Sequence, residues 1–282
     1  MTARKLTCLL AAAALASCTQ HPTPNTQHPA ADTLTVAATT RHLADSTGSY
    51  TLSIAFPAGR AATSPLADAI REWASENLGG TYADTLTGNY TELLADTAAL
   101  ANHYFERIVK TNAYEFHELQ LYNPEAKRLA ISFLDSTVVS KTAEGKNWVT
   151  FQNVRDSYTG GAHGSHIVNG QTFRKSDGRR IGWDILLGTY DEEFQALLKA
   201  GLIEYWGLRS EAQLEDRLMG DANIYYIPLP QCPPLFSADG ISFVYNQYEI
   251  AAYAAGLPTF TVPYSKLQPF LNATAHQLLR TN

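Results

Sequence analysis

The strongest constraint on the fold is how strand-like and helix-like runs are grouped along the chain. Ala113 to Tyr122, Arg128 to Ser140 and Asn147 to Ser157 read as three consecutive strands, with turns at Asn123-Pro124 and Glu144-Gly145. A fourth run, His166 to Arg174, comes after a glycine-rich stretch, and Ser176-Asp177-Gly178 reads as a hairpin turn. Helical periodicity comes in blocks of its own, so regular β-α-β alternation and a doubly wound sheet are disfavoured. The expected class is α+β: antiparallel sheets with helices packed on one face, in two sequential modules.

The helical blocks carry their own start and stop signals. Tyr50 to Phe56 is a strand stopped by Pro57, and Ser64-Pro65 then opens a helix, with serine as N-cap and proline at the first helical position. Leu66, Ala69, Ile70, Trp73 and Ala74 share one face of it, and Gly79-Gly80 end it. A second helix is read from Asn89, with Glu92 completing a capping box and an apolar face running to Val109. Further helices are expected at Tyr190 to Trp206, at Ser210 to Met219, and from a Ser265 cap to Leu279. Ile224 to Leu229 and Thr259 to Val262 read as strands, and Ser237 to Gly240 as a hairpin turn before Ile241 to Tyr245.

The N-terminus carries an address. Arg4 and Lys5 precede an apolar run from Leu6 to Leu15 that is too short to span a bilayer and has the form of a secretory signal. Leu15-Ala16-Ser17-Cys18 resembles the bacterial lipobox, and the resemblance implies lipidation of Cys18 and anchoring by acyl chains. The expected organisation is a signal peptide at 1–17, a proline- and threonine-rich flexible tether at 18–47, an N-terminal α/β module at 48–112 and a C-terminal α+β domain at 113–282. No acidic cluster comes after Cys18, which points to the cell envelope, lipid-anchored at an outer membrane and facing the periplasm. With Cys8 in the leader and Cys18 lipidated, Cys232 is left without a disulfide partner and reads as a small buried hydrophobe. A globular composition, 45% hydrophobic and 17% charged, with net charge -6 and no basic stripe, argues against nucleic acid as a partner.

Two stretches concentrate unusual residues. One is Asp156-Ser-Tyr-Thr-Gly-Gly-Ala-His-Gly164; the other is Tyr245-Asn-Gln-Tyr-Glu-Ile-Ala-Ala-Tyr-Ala-Ala-Gly256. They are expected to form one surface, with Tyr158, His163, Tyr245, Asn246, Tyr248, Glu249 and Tyr253 as candidate binding residues. The tyrosines suit sugar faces or protein partners, although rings that pack the core and tie loops through their hydroxyls are the more ordinary use of such residues. Gly160, Gly161, Gly164 and Gly256 are read as backbone-conformation residues. His163 is a candidate general base with Asp156 or Glu249. No HExxH, GxSxG, P-loop or CxxC pattern occurs, and no metal or cofactor is called for.

These motifs carry a family resemblance. Ser157 to Gly164, Trp183-Asp-Ile-Leu-Leu187, Phe243 to Gly256 and Val262-Pro-Tyr-Ser-Lys-Leu267 occur in order. Together they resemble the extracytoplasmic C-terminal domain shared by the anti-sigma factor RsiV and the deacetylase PdaC, a domain-of-unknown-function family. The resemblance covers roughly 114–279, and Ser53 to Pro57 with the helix after it looks like the companion N-terminal module. It implies an α+β fold and an extracytoplasmic binding role, with a lysozyme-like protein or a cell-wall glycan as partner. Neither a sigma-binding segment nor a deacetylase domain is present, so those activities do not carry over.

Asp followed by Ser or Thr recurs at Thr33, Ser46, Thr85, Thr97 and Ser136, in tripeptides that resemble the O-glycosylation acceptor motif of Bacteroidetes-type bacteria. Helix caps and turns are the structural alternative for the same pairs. The leading expectation is a lipid-anchored envelope binding protein. A wall-directed hydrolase using His163, and a structural envelope lipoprotein, are the alternatives.

Overall fold

The computed structural model describes residues 33–79, 96–128 and 130–280. Six strands form one mixed sheet in chain order: β1 (Val36–Ala44), β2 (Gly48–Pro57), β3 (Phe133–Glu144), β4 (Trp148–Tyr158), β5 (Ser165–Arg174) and β6 (Arg180–Ile181). All neighbours are antiparallel except β2 and β3, which run parallel. A parallel pair needs a long crossover, and α1 (Pro65–Asn77) and α2 (Thr97–Tyr122) lie within it. Both helices cover one face of the sheet. Leu66, Ile70 and Trp73 of α1 and Leu100 and Tyr104 of α2 pack against Leu52, Ile54, Phe151 and Phe173. A short helix, α3 (Pro124–Arg128), precedes β3.

A second, three-stranded antiparallel sheet comprises β7 (Leu235–Phe236), β8 (Gly240–Val244) and β9 (Thr259–Pro263). It packs with α4 (Glu192–Trp206) around Phe194, Leu198, Leu202, Ile241 and Phe243. Three short helices, α5 (Glu211–Glu215), α6 (Tyr264–Leu267) and α7 (Ala273–Leu279), complete this region. The α+β expectation therefore holds, with two main packed cores. These sit within one compact unit; residues 1–32 lie outside the described ones. The second sheet is stitched to the face of the first that the helices leave free. Thr150 donates to the carbonyl of Phe236 (2.8 Å) and Thr172 to that of Pro234 (3.0 Å), while Val168, Cys232, Leu235 and Val244 close the gap.

Several expectations need correction. Ala113 to Tyr122 is not a strand but the last part of α2, so the expected boundary after residue 112 falls inside a helix. The alternation of apolar and polar residues there is misleading. Tyr114, Leu121 and Tyr122 are exposed, and the buried positions Asn112 and Phe116 are four apart, a helical spacing. Asp96 caps α2, accepting from the amides of Ala98 (2.8 Å) and Ala99 (3.1 Å); the cap expected at Asn89 lies outside the described residues. The tether assigned to 18–47 contains β1, an edge strand of small residues held by its ladder to β2 rather than by a large apolar face. Ile224 to Leu229 is not a strand: Asn223 folds its start into an Asx turn by accepting from the amides of Tyr225 and Tyr226. The last helix is broken at Pro269, and Asn272 rather than Ser265 provides a cap, for α7. The Ser64 cap of α1 is as read, accepting from Ala67 at 3.1 Å.

Candidate functional site

The β4–β5 hairpin and the segment after β8 meet, as the sequence suggested. Asn246 is the joint. Its side chain accepts from the amide of Val168 (2.9 Å) and donates to the carbonyl of Val168 (3.0 Å), as a paired strand would. Gln247 accepts from the amide of His166 (3.3 Å). Glu249 closes the turn, accepting from the amides of Asn246 (2.8 Å) and Gln231 (2.6 Å). Burial pushes its carboxyl above the ordinary carboxylate range, against the pull of those two amides.

This clamp presents three rings. His163 stacks on Tyr253, with centroids 3.7 Å apart and planes 21° apart. The carbonyl of Gly164 accepts both from Nδ1–H of His163 (2.9 Å) and from the hydroxyl of Tyr253 (2.9 Å). A carbonyl can only accept, so Nδ1 carries the proton and Nε2 is left to accept from the hydroxyl of Tyr248 (3.2 Å). Tyr248 has φ +67, one of two non-glycine residues with positive φ among the described residues, and it is 62% exposed. Holding an L-residue there costs roughly 1–2 kcal/mol.

Below this ledge lies a shallow depression of about 300 Å³, lined by Leu134, Asp156, Tyr158, His166 and Tyr253 among others. Asp156 Oδ1 lies 2.6 Å from Nδ1 of His166. The pairing of His163 with Asp156 or Glu249 is therefore corrected: one carboxylate is engaged by His166 and the other by two backbone amides. His166 is absent from the candidate residues drawn from the sequence. Counting outward from Gly161 as the hairpin centre finds it, since the register pairs Asp156 with His166.

The other candidates divide. Tyr245 is not part of the surface; it is 0% exposed, and its hydroxyl donates to the carbonyl of Pro228 (2.9 Å). Tyr158 lines the depression and Tyr253 is half-buried under His163. Gly160 has φ +86, and a Cβ there would meet Leu119 of α2 at 2.7 Å. Gly256 has φ +82 against Tyr205, and a Cβ on Gly164 would crowd the carbonyl of Ser157 at 3.0 Å. Gly161 is corrected: its φ is not positive, and the nearest atom to an added Cβ is 3.9 Å away. Cys232 is buried, and burial pushes its thiol up to about 12.

Among the Asp-Ser/Thr sites, Thr85 lies outside the described residues, as does the lipidation candidate Cys18. Thr33 and Ser46 are exposed, and Asp45 caps the β1–β2 turn through the amide of Thr47 (2.8 Å). Thr97 stands directly after the α2 cap. Ser136 is half-buried beside Asp135, which is fully buried and ion-paired to Arg155 (2.6 Å). Among the described residues, no helix is long and apolar enough to cross a membrane.

Known proteins share this architecture. A family model described as a protein of unknown function, DUF3298, matches residues 235–265, which hold the second sheet and the ring-bearing segment. A DUF3298 family member from Bacteroides fragilis has a similar structure, with TM-score 0.65 and 20% identity over 87% of this chain and 98% of that one. A DUF3298 family protein from Pseudomonas aeruginosa is similar with TM-score 0.53 and 11% identity, over 89% of this chain and 99% of that one. At these identities the likeness is one of fold. No curated protein matches the sequence.

Proposed function

We propose that this chain is a lipid-anchored binding protein of the bacterial cell envelope, and that the ledge of Tyr248, His163 and Tyr253 with its depression binds a cell-wall glycan. The observation that carries the reading is Tyr248, an exposed ring kept in a left-handed backbone conformation and aimed at His163. Strain of this kind persists where the surroundings enforce it, and it clusters at ligand-binding sites. Exposed ring faces suit the C–H faces of a pyranose, and Asp156, His166 and Tyr158 offer acceptors and donors for hydroxyls beside them.

The address rests on the leader: Arg4, Lys5, the short apolar run and Cys18 in its lipobox-like setting. The anchor would hold the binding unit at the outer membrane, facing the periplasm. The finer kinship with the RsiV and PdaC domain is part of this proposal, and it is supported by the meeting of the two motifs that carry the resemblance. A hydrolase using His163 is not favoured, because neither proposed carboxylate partner is engaged with that ring.

Sedimentation of the full chain with insoluble peptidoglycan, beside an immobilised lysozyme control, tests the ligand. Saturable retention on the wall material without release of soluble fragments is expected. Retention by lysozyme alone would assign a protein ligand instead, and release of fragments would restore the hydrolase. Cys18→Ala tests the anchor separately: the protein should leave the membrane fraction, and unchanged retention would exclude lipidation as the anchor.

A further inference from the structure

The depression is one end of a longer feature. The strand registers align His42, Thr51, Ser136, Asp156 and His166 as direct neighbours across β1 to β5. All five lie on the sheet face that α1 and α2 do not cover: their strand neighbours Tyr50, Leu52, Asp135 and Thr137 are buried on the other side, whereas the five are exposed or half-buried. Both ends of the ladder are closed by imidazole contacts. His42 Nδ1 lies 3.0 Å from the Thr51 hydroxyl, and His166 Nδ1 lies 2.6 Å from Asp156. The row is polar across all five strands, from His42 to His166. Sheet faces left to solvent need only be polar on average, without a shared register.

Apolar groups flank the row. Leu134, 42% exposed, stands on one side and Val138, 38% exposed, on the other. At Ser136 the track runs between these apolar shoulders, which matches the two-sided chemistry of a sugar ring, with C–H faces on the shoulders and hydroxyls on the track; toward β1 its flanks turn polar at Ser49, Ser53 and Thr40. Charge points the same way. Three rows share this face: the ladder itself, the row from Ala44 to Tyr158 and the row from Thr40 to Val168. They hold no lysine or arginine, and Asp156 is their one carboxylate. Arg41 and Arg155 belong to the alternate row on the other face, where they bond Asn102 of α2 and the buried Asp135. A nucleic acid or other polyanion finds no counter-charge along the track. At about 4.8 Å between strands the ladder is about 19 Å long, the extended length of a short oligosaccharide. It is also continuous with the depression, since Asp156 and His166 belong to both.

We infer that this ladder is the extended part of the glycan site: a linear, uncharged oligosaccharide enters at the Tyr248–Tyr253 ledge and lies across the strands over Asp156, Ser136 and Thr51 toward His42. The inference rests on the glycan reading above and adds to it a direction and a length. Each rung contributes a hydrogen-bonding group, so affinity grows with chain length until the ladder is filled.

Titration of the full chain with chitobiose, chitotetraose and chitohexaose tests it, comparing the natural sequence with the double variant Thr51→Val/Ser136→Ala and with Tyr248→Ala. A thermal melt of each variant verifies folding, and His42→Ala, at the far end of the ladder from the depression, serves as a second ladder variant if the double variant is unstable. The natural chain should bind the tetraose roughly tenfold more tightly than the biose. Ladder variants should keep the biose affinity and lose that gain, whereas Tyr248→Ala should weaken all lengths. A ladder variant that retains the full gain overturns the ladder and leaves the ledge standing. Absence of binding at every length overturns both readings. Lysozyme binding that the ladder variants abolish, with no oligosaccharide bound, gives the face to a protein partner and overturns the glycan track.

Discussion

The hydroxyl of Tyr248 lies 3.2 Å from Nε2 of His163, a residue 85 positions earlier. That contact links two loops from separate sheets, and it depends on a tyrosine backbone conformation that glycine adopts more readily. The Asn246 clamp, the ring ledge and the strained backbone at Tyr248 rest on different atoms, so mutation can separate them.

Tyr248→Gly should be nearly neutral for folding. Relief of the left-handed conformation gains roughly 1–2 kcal/mol, and the greater freedom of glycine in the unfolded chain takes back about 0.5–1 kcal/mol. Chemical denaturation should place the variant within about 1.5 kcal/mol of the natural protein. A loss well beyond that would make the ring a structural element rather than a binding one.

Gly160→Ala and Gly161→Ala, adjacent in sequence, should differ sharply. The first adds a Cβ at positive φ within 2.7 Å of Leu119 and should cost about 1–3 kcal/mol. The second has open space and should stay within about 0.5 kcal/mol. Equal melting temperatures for the two variants would contradict the hairpin geometry.

Asn246→Ala removes both bonds to Val168 and leaves a backbone amide and carbonyl of β5 without those partners. The expected cost is about 1–3 kcal/mol, with faster hydrogen exchange at Val168. Asn246→Asp keeps the acceptor but sets a carboxylate oxygen against the Val168 carbonyl, so it should be at least as destabilised as the alanine variant. Unchanged exchange at Val168 in the alanine variant would show that the loop is held by other means.

Asp177 in the β5–β6 turn gives an acid-side signature. The Arg174 guanidinium and the amide of Arg179 hold its carboxyl down at about 2, below the ordinary value of 3.8. Its stabilising effect is therefore complete above the ordinary carboxylate range. It is lost as pH falls from about 3.8 through about 2, where the folded group takes up its proton. Asp177→Asn should flatten that part of the stability–pH curve and leave the neutral region with the same slope. A curve that the substitution leaves unchanged across this window would show that the Arg174 contact does not persist in solution.

How much of the fold is legible in the sequence differs from residue to residue. Ser64-Pro65 announces α1 because capping is local, and Ser237 to Gly240 announces the β7–β8 hairpin for the same reason. Phe116 does not announce a helix: its neighbours alternate like a strand, and only the burial of Asn112 and Phe116 against β2 and β3 reveals the true period. β1 hides among small and polar residues because an edge strand is held by backbone bonds, which side chains do not report. In the site, the conjunction of two motifs correctly brings His163 to Tyr248. Tyr245 looks like its neighbours but turns inward, since strand alternation continues one residue past β8. Asp156 stands out in the sequence without its partner His166, and the ladder through Ser136, Thr51 and His42 depends on a parallel pairing that no local pattern encodes.

Whether the Tyr248 ledge binds glycan is decided by calorimetric titration of chitotetraose into the natural chain and into Tyr248→Ala. Saturable binding by the natural chain is expected, with at least a roughly tenfold weaker affinity for the variant and the same unfolding temperature for the two proteins. Equal affinities, or no heat of binding to the natural chain, would contradict a glycan site at the ledge.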